Sequence, residues 1–469
     1  MDKIKYLLKN MGFLTLSSLG IKLISFFLVP LYTSILTTAE YGTYDIFNTT
    51  ISLLIPFFTL NIKESTIRFA LSNEYSKKDV FAISIKYSVL SIIYFGIILF
   101  VNHFLLISVP MDDYKWLILI MYISQVLQGV ITNFVRGLDN LKSIAISTVI
   151  CSLSVVTLNI VLLLPLNMGL TGYFVANIIG PLVQVAYLLV VCKAWRYLKA
   201  ECVNNALDRE MVRYSTPMIA NSTAWWVNSV SDRYIIIWIC GVAENGIYSV
   251  ASKIPTIVDM FQGIFSQAWT LSAVKEFDSE DKNGFFSKMY GMYNMCMTIA
   301  SSGVILISRI LARFLYAKNF YAAWRYVPFL IIAVLFGALA GYCGAIFSAV
   351  KDSKAFAYST LIGAVVNVLL NLVLVRYCGA LGAAIATTIS YALIYWLRLK
   401  KTRKYINLKV SLFRDWCGYI ILLIQTVIFL LFEQESWRLY FIQSILFIFV
   451  LCLFIEQYKL LWKKIKDFK

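Results

Sequence analysis

Ala39-Glu40-Tyr41-Gly42-Thr43-Tyr44 returns two hundred residues later as Ala243-Glu244-Asn245-Gly246-Ile247-Tyr248. The first copy lies between two long apolar runs, residues 12–36, which carry a lone Lys22 and Pro30, and a second run from residue 44. A glycine inside a short polar interruption reads as a tight turn joining two helices. More matches follow in the same order. Lys142-Ser143-Ile144-Ala145-Ile146-Ser147-Thr148 answers Lys354-Ala355-Phe356-Ala357-Tyr358-Ser359-Thr360, and Leu158-Asn159 answers Leu370-Asn371. The spaced Gly169, Gly172 and Ala176 answer Gly379, Gly382 and Ala386, and every offset falls between 204 and 212 residues. A fixed period of this kind marks an internal duplication.

Composition says what is duplicated. Sixty per cent of the residues are apolar, 14% are charged and the mean hydropathy is +0.76, which excludes a soluble globular domain. Apolar runs of about twenty residues recur, each able to cross a ~30 Å hydrocarbon core as a helix. Residues 445–455 are apolar all round, whereas a membrane β-barrel would alternate apolar and polar residues. The expected fold is an all-α integral membrane protein of fourteen transmembrane helices. They lie at roughly 12–36, 44–69, 81–107, 115–136, 143–165, 171–192, 214–240, 247–273, 285–308, 326–349, 355–375, 380–398, 411–432 and 438–458. Each sequence match joins spans six apart. Helices 1–6 and 7–12 are therefore two copies of one bundle, in parallel pseudo-two-fold repeat, and two C-terminal helices are added. The expected divisions are an N-terminal six-helix lobe over 1–192, a cytoplasmic amphipathic linker over 193–213, a C-terminal six-helix lobe over 214–398, and a basic loop with helices 13 and 14 over 399–469.

The formal charge of +17 would suit a nucleic-acid partner, but its placement argues against one. Counted over alternate loops from the N-terminus, 29 lysines and arginines fall on one side of the membrane and seven on the other. That asymmetry places both termini in the cytoplasm. One segment dissents: Arg309, Arg313, Lys318 and Arg325 fall on the outer side. The nine cysteines show no paired spacing and read as small buried hydrophobes. Lys3, Lys5 and Lys9 precede the first run as in a signal peptide, but that run is too long for one and stays as the first helix. No loop exceeds about twenty residues, so function must lie among the helices. No HExxH, GxSxG, Walker or dinucleotide pattern occurs, and no metal-ligand cluster. A transporter without cofactor or metal is expected, driven by an ion gradient, the membrane potential or substrate supply.

A charge deep in a bilayer costs at least ~2.5–3.5 kcal/mol on insertion scales, so each one needs a reason. Lys22 lies ten residues, roughly 15 Å, into helix 1. Arg68 shares the cytoplasmic end of helix 2 with Lys63 and Glu64; Asp232 and Arg233 sit in helix 7, Lys253 in helix 8 just before Pro255, and Lys86 in helix 3. Lys86, Lys63 and Glu64 read as snorkelling to the interface. Asp232 reads as a structural partner of Arg233 or, with Asp259, as an ion-coupling carboxylate. Lys22, Arg68, Arg233 and Lys253 read as cations facing a shared water-filled cavity and binding an anionic substrate. At the repeat offset Lys22 falls on Trp226 and Lys253 on Thr49, so these charges are not duplicated. Pro30, Pro56, Pro217 and Pro255 fall in the same helices and favour kinks. Trp225 and Trp226 are candidates for stacking on sugar faces, and His103 reads as an interfacial residue.

Several stretches carry a family resemblance: Pro30-Leu31-Tyr32, Leu36-Thr37-Thr38-Ala39-Glu40-Tyr41-Gly42, Ser231-Asp232-Arg233-Tyr234, Gly246-Ile247-Tyr248-Ser249-Val250-Ala251-Ser252-Lys253 and Gly379-Ala380-Leu381-Gly382-Ala383-Ala384. In their order and spacing they resemble the bacterial polysaccharide-biosynthesis flippases, for O-antigen or capsule repeat units, of the multidrug/oligosaccharidyl-lipid/polysaccharide exporter superfamily. The resemblance covers at least residues 1–398. It implies a plasma-membrane (bacterial inner-membrane) flippase that moves undecaprenyl-pyrophosphate-linked oligosaccharide to the outer leaflet by alternating access. The implied partners are the lipid-linked oligosaccharide, membrane lipids, and the polymerase and glycosyltransferases of the pathway. It also implies pyrophosphate or acidic-sugar contacts at Lys22, Arg233 and Lys253. A drug or cation antiporter of that superfamily would want carboxylates where helix 1 carries Lys22. A lipid-linked polymerase or glycosyltransferase would want a long extracytoplasmic loop or an acidic motif. A lipid II flippase remains an alternative.

Overall fold

The computed structural model describes residues 26–458 except 73, 106–108, 198–203, 283, 351, 433 and 456. Lys22 and most of the first expected span lie outside the described residues. The described chain is helical and divides into two compact units, Met1–Val227 and Asn228–Lys469. The first holds α1 (Val29–Ile35), α2 (Thr38–Phe58), α3 (Ile62–Leu71), α4 (Lys77–Leu105), α5 (Val109–Asp113), α6 (Lys115–Gly137), α7 (Leu141–Leu163) and α8 (Gly169–Val191). Helix α9 (Asn205–Cys240) begins in the first unit and ends in the second. The second holds α10 (Val242–Ala251), α11 (Thr256–Lys275), α12 (Phe285–Leu315), α13 (Val327–Ala349), α14 (Ser353–Cys378), α15 (Ala380–Thr402), α16 (Leu412–Leu431) and α17 (Trp437–Leu453). Among the described residues nine helices are long and apolar enough to cross a membrane, or ten if α2 and α3, bent by 59° at their junction, form one broken span. This is a multi-pass helical membrane protein.

The duplication appears in the packing. In the first unit α3, α4 and α8 pack on α6, and α7 packs on α8; in the second α11, α12 and α15 pack on α13, and α14 packs on α15. Equivalent residues do equivalent work. Asn140 caps α7 by accepting from the Ser143 amide at 3.2 Å, and its counterpart Asp352 caps α14 by accepting from Ala355 at 3.0 Å. Buried Asn159 and Asn371 both donate to the carbonyl one turn back, at 2.8 and 2.9 Å. A Cβ on Gly172 would meet the Leu162 carbonyl at 3.3 Å, and one on Gly382 the equivalent Leu374 carbonyl at 2.2 Å. Close backbone approach of neighbouring helices is what small residues permit in a membrane.

The motif at 39–44 corrects the expectation of a tight turn: it is the start of α2. The Thr37 side chain accepts from the Glu40 amide at 3.2 Å, and the Glu40 carboxylate accepts from the Thr37 amide at 2.8 Å. This reciprocal box satisfies two of the orphan donors of a helix N-terminus. In the second copy Gly241, at φ +93°, takes the cap position before α10, and Glu244 again lies in the first turn. Both motif glycines are buried within helices. The chain instead breaks later, at different places in the two copies: at Leu60 and Asn61, with φ of 50° and 53°, and at residues 252–255. Lys63 therefore follows one break and Lys253 lies in the other.

Two of the four basic residues expected in the loop 309–325 lie within a helix, α12. Arg309 lies inside α12, not in a loop; it is buried, stacks 3.7 Å from the Trp324 ring and donates to the carbonyls of Phe429 and Phe432 at the end of α16. Arg313 pairs with Glu435 at 3.0 Å. Farther along the same face of α12, Ser302 donates to Gln425 at 2.8 Å, Asn294 accepts from Tyr419 at 3.0 Å, and Tyr290 donates to Asp415 at 3.1 Å. This polar seam docks α16 on the second unit, and interhelical hydrogen bonds of this kind join helices where lipid offers no hydrophobic gain.

Candidate functional site

Three helices of the first unit each carry a polar stripe on an apolar body. On α2 and just past its break, Tyr44, Asn48, Ser52, Thr59 and Lys63 recur at three- to four-residue steps or multiples of them; on α6 the stripe is Gln125, Gln128, Thr132 and Arg136; on α8 it is Asn177 and Gln184, with Pro181 between. A 3.6-residue period puts each set on one face. The three faces meet around a cavity of about 630 Å³, lined by all of these residues together with Asn133 and Thr148. Lys63 and Arg136 are its two cations, and no carboxylate is in the lining. Lys63 passes over the small Gly129, where a Cβ would sit 3.9 Å from its Cδ. Toward Tyr44 the walls are aromatic: Tyr44 lies edge-on to Tyr173 at 4.5 Å and to Phe174 at 5.1 Å.

The amides are oriented by their hydrogen-bond network. Gln125 donates to Asn48 Oδ1 at 3.0 Å, Gln128 to Gln184 Oε1 at 2.7 Å, Gln184 to Ser147 at 3.2 Å, Asn133 to the Gly129 carbonyl at 2.9 Å and Asn177 to the Tyr173 carbonyl at 2.8 Å. The N–H groups are thus engaged within the unit. The carbonyl oxygens of Gln125, Gln128, Asn133 and Asn177 accept no hydrogen bond from the described residues, and the Thr132 hydroxyl is the one atom of this lining that is fully buried without a partner among them. A buried polar group without a partner is costly, so such a cavity holds water or a ligand that donates hydrogen bonds. A polyhydroxylated ligand bearing an anionic group matches both the acceptors and the two cations.

In the second unit an arginine engages the equivalent hydroxyls. Ser359 and Thr360, counterparts of Ser147 and Thr148, accept from Arg398 at 3.0 and 2.9 Å; Arg398 also donates to the Ala340 carbonyl at 2.9 Å and stacks on Phe356 at 4.1 Å. In the first unit the same pair is engaged by the neutral Gln184, at 3.2 Å from Ser147 and 3.5 Å from Thr148.

The residues singled out from sequence are distributed as follows. Lys22 lies outside the described residues. Arg68 is exposed in the last turn of α3 and does not line the cavity, whereas Lys63 does. Lys86 is ion-paired with Asp208 at the start of α9, 2.6 Å away. In the second unit Asp232 is buried and accepts from the Tyr248 hydroxyl at 2.5 Å and from the Arg233 amide at 3.0 Å. Arg233, Lys253 and Asp259 are half-buried. The Trp226 indole donates to the Thr49 carbonyl at 3.1 Å. His103 is exposed and bonded to Asp112 at 2.8 Å. The cavity's amides and Arg136 were missed from sequence. The available signal was the polar stripe on α6, which a search for deep charges alone passes over.

The model of the polysaccharide biosynthesis protein family matches residues 7–271. This chain belongs to that family. No curated protein matches it in sequence. Among solved structures it resembles the lipid II flippase MurJ in an inward closed conformation, with a TM-score of 0.71 at 12% identity over 96% of this chain and 99% of that one. It also resembles an inward-facing multidrug resistance MATE family transporter of the MOP superfamily, with a TM-score of 0.65 at 13% identity over 84% and 98%. A MOP superfamily transporter from Pyrococcus furiosus, for which a binding pocket of reverse polarity is described, gives 0.54 at 13% identity over 85% and 93%. The fold is the one these solved transporters share.

Proposed function

We propose that this protein is a flippase that carries undecaprenyl-pyrophosphate-linked oligosaccharide repeat units from the cytoplasmic to the outer leaflet of the bacterial inner membrane by alternating access. It would serve surface polysaccharide synthesis, with both termini in the cytoplasm. The observation that carries this reading is the first-unit cavity. Its free carbonyl oxygens suit sugar hydroxyls, and Lys63 and Arg136 suit a pyrophosphate or an acidic sugar, in a chain of the polysaccharide biosynthesis family. Lys22, Arg68, Arg233 and Lys253 are further proposed substrate contacts, and Asp232 and Asp259 the proposed ion-coupling or structural carboxylates. The polymerase and glycosyltransferases of the same pathway are the proposed partners.

The likeness to MurJ over nearly the whole chain favours a second reading, lipid II as the cargo. Both cargoes carry a polyprenyl pyrophosphate, so the sugar distinguishes them. Complementation of a strain lacking this gene tests the first reading. The wild-type gene restores surface polysaccharide, and the Lys63→Ala, Arg136→Ala double variant, present at equal level in the membrane, leaves it at least tenfold lower. Full restoration by the double variant contradicts the assignment. Rescue of a strain starved of its lipid II flippase, without effect on surface polysaccharide, would favour the second reading.

A further inference from the structure

A second cavity, of about 480 Å³, lies in the second unit between α15 and α16. Its walls are apolar, formed by residues such as Ile389, Leu412, Ile420 and Leu423. These side chains are more than a third exposed, as the lipid-facing surface of a membrane protein would be. What sets this groove apart from ordinary lipid-facing surface is its mouth. Lys400 and Arg403, three residues apart on one face of the end of α15, both line it and both are exposed. Neither has a carboxylate partner among the described residues; the neighbouring Lys401 approaches Asp352 at 3.9 Å instead. Trp396 and Trp416, each about half exposed, flank the groove, and the Lys400 ammonium lies 5.5 Å from the Trp396 ring. The carboxylate in the wall, Asp415, is already neutralised. It accepts from Arg414 at 2.7 and 3.0 Å and from the Tyr290 hydroxyl at 3.1 Å.

An apolar trough with two unpaired cations at one end and tryptophans at the polar–apolar boundary is complementary to an amphiphile with one negative head. We propose that this groove is a binding site for an anionic phospholipid, with its phosphate between Lys400 and Arg403 and one acyl chain along α16. The volume falls within the ~300–1,000 Å³ of small-molecule sites, which suits a single acyl chain and not the whole of a long polyprenyl. The segment from Arg398 to Arg414 carries seven of the chain's lysines and arginines, so this mouth faces the basic side of the membrane, where anionic headgroups are attracted. The site is independent of the cavity in the first unit and of whatever cargo that cavity takes.

The full-length protein, purified and mixed with phosphatidylglycerol or phosphatidylcholine of matched chains, is examined by native mass spectrometry, with a thermal melt of each variant as a folding control. The site predicts that phosphatidylglycerol is retained in preference to phosphatidylcholine. Lys400→Gln with Arg403→Gln should lower that retention on the order of tenfold. Ala392→Trp, which fills the groove without touching the charges, should abolish the preference, and Lys400→Arg with Arg403→Lys should keep it. Equal retention of the two lipids by the wild type overturns the proposal. So does unchanged retention in the glutamine variant, or displacement of phosphatidylglycerol by a polyprenyl phosphate at equal concentration.

Discussion

Two residues on the first-unit cavity show what a charge among apolar helices requires. Lys63 and Arg136 stand at a polar lining that contains no carboxylate, and on the proposed function their charge serves the ligand. Asp352 shows the opposite case at a helix end. The Tyr405 hydroxyl and the Ala355 amide donate to it and hold its carboxyl below the usual carboxylate range. A lowered folded-state pKa means that its stabilising contribution is complete above the ordinary carboxylate pKa of about 4 and is lost as pH falls through the lower folded value. The gap in thermal stability between the wild type and Asp352→Ala, measured in detergent, should therefore be constant from pH 7 to 5 and close below pH ~4. A gap that widens on acidification would contradict this account. Deep charges such as Asp232 and Arg233 were legible in the sequence because each stands out against apolar neighbours. The place of Lys63 in the cavity lining was not legible, because it depends on where the chain bends at Leu60 and Asn61, and Pro56 signals a kink in this helix without fixing that place.

At the scale of elements, the spans were legible because an apolar run of fixed length is what the bilayer demands, and α4, α6, α7 and α8 fall close to where the runs placed them. The motif at 39–44 was misread because a glycine was taken as a turn signal. Thr37 and Glu40, three residues apart, already spelled a helix start. The duplicated glycines make a sharper prediction. Gly379, at φ +58° and ψ −149°, joins α14 to α15, and Gly382 then lets α15 approach the backbone of α14. Gly382→Ala would drive a methyl group against the Leu374 carbonyl and should cost about 1–3 kcal/mol, read as a lowered melting temperature. Gly172→Ala, whose nearest contacts are side-chain atoms at 2.9 and 3.1 Å, should cost less. Equal losses would contradict this difference in how closely the two pairs of helices approach.

For the whole molecule, the repeat was the most legible feature, since the pairs α7–α8 and α14–α15, with their caps and close glycines, follow one plan. Its divergence was legible only in structure. Ser147-Thr148 and Ser359-Thr360 look alike in sequence, yet the first pair is engaged by the neutral Gln184, with Thr148 on the cavity wall, and the second by the cation of Arg398. Duplication supplied the scaffold, and the two copies differ in the side chains that meet these hydroxyls. The central claim is that the first-unit cavity binds the head of a lipid-linked oligosaccharide for transfer across the membrane. The most direct measurement reconstitutes the purified protein in proteoliposomes with a fluorescent undecaprenyl-pyrophosphate oligosaccharide and follows its accessibility to an impermeant reagent. Wild-type protein should expose the substrate on the opposite leaflet, and the Lys63→Ala, Arg136→Ala variant should slow that exposure at least tenfold. Transfer at the wild-type rate by the variant, or none above empty liposomes by the wild type, would contradict the account.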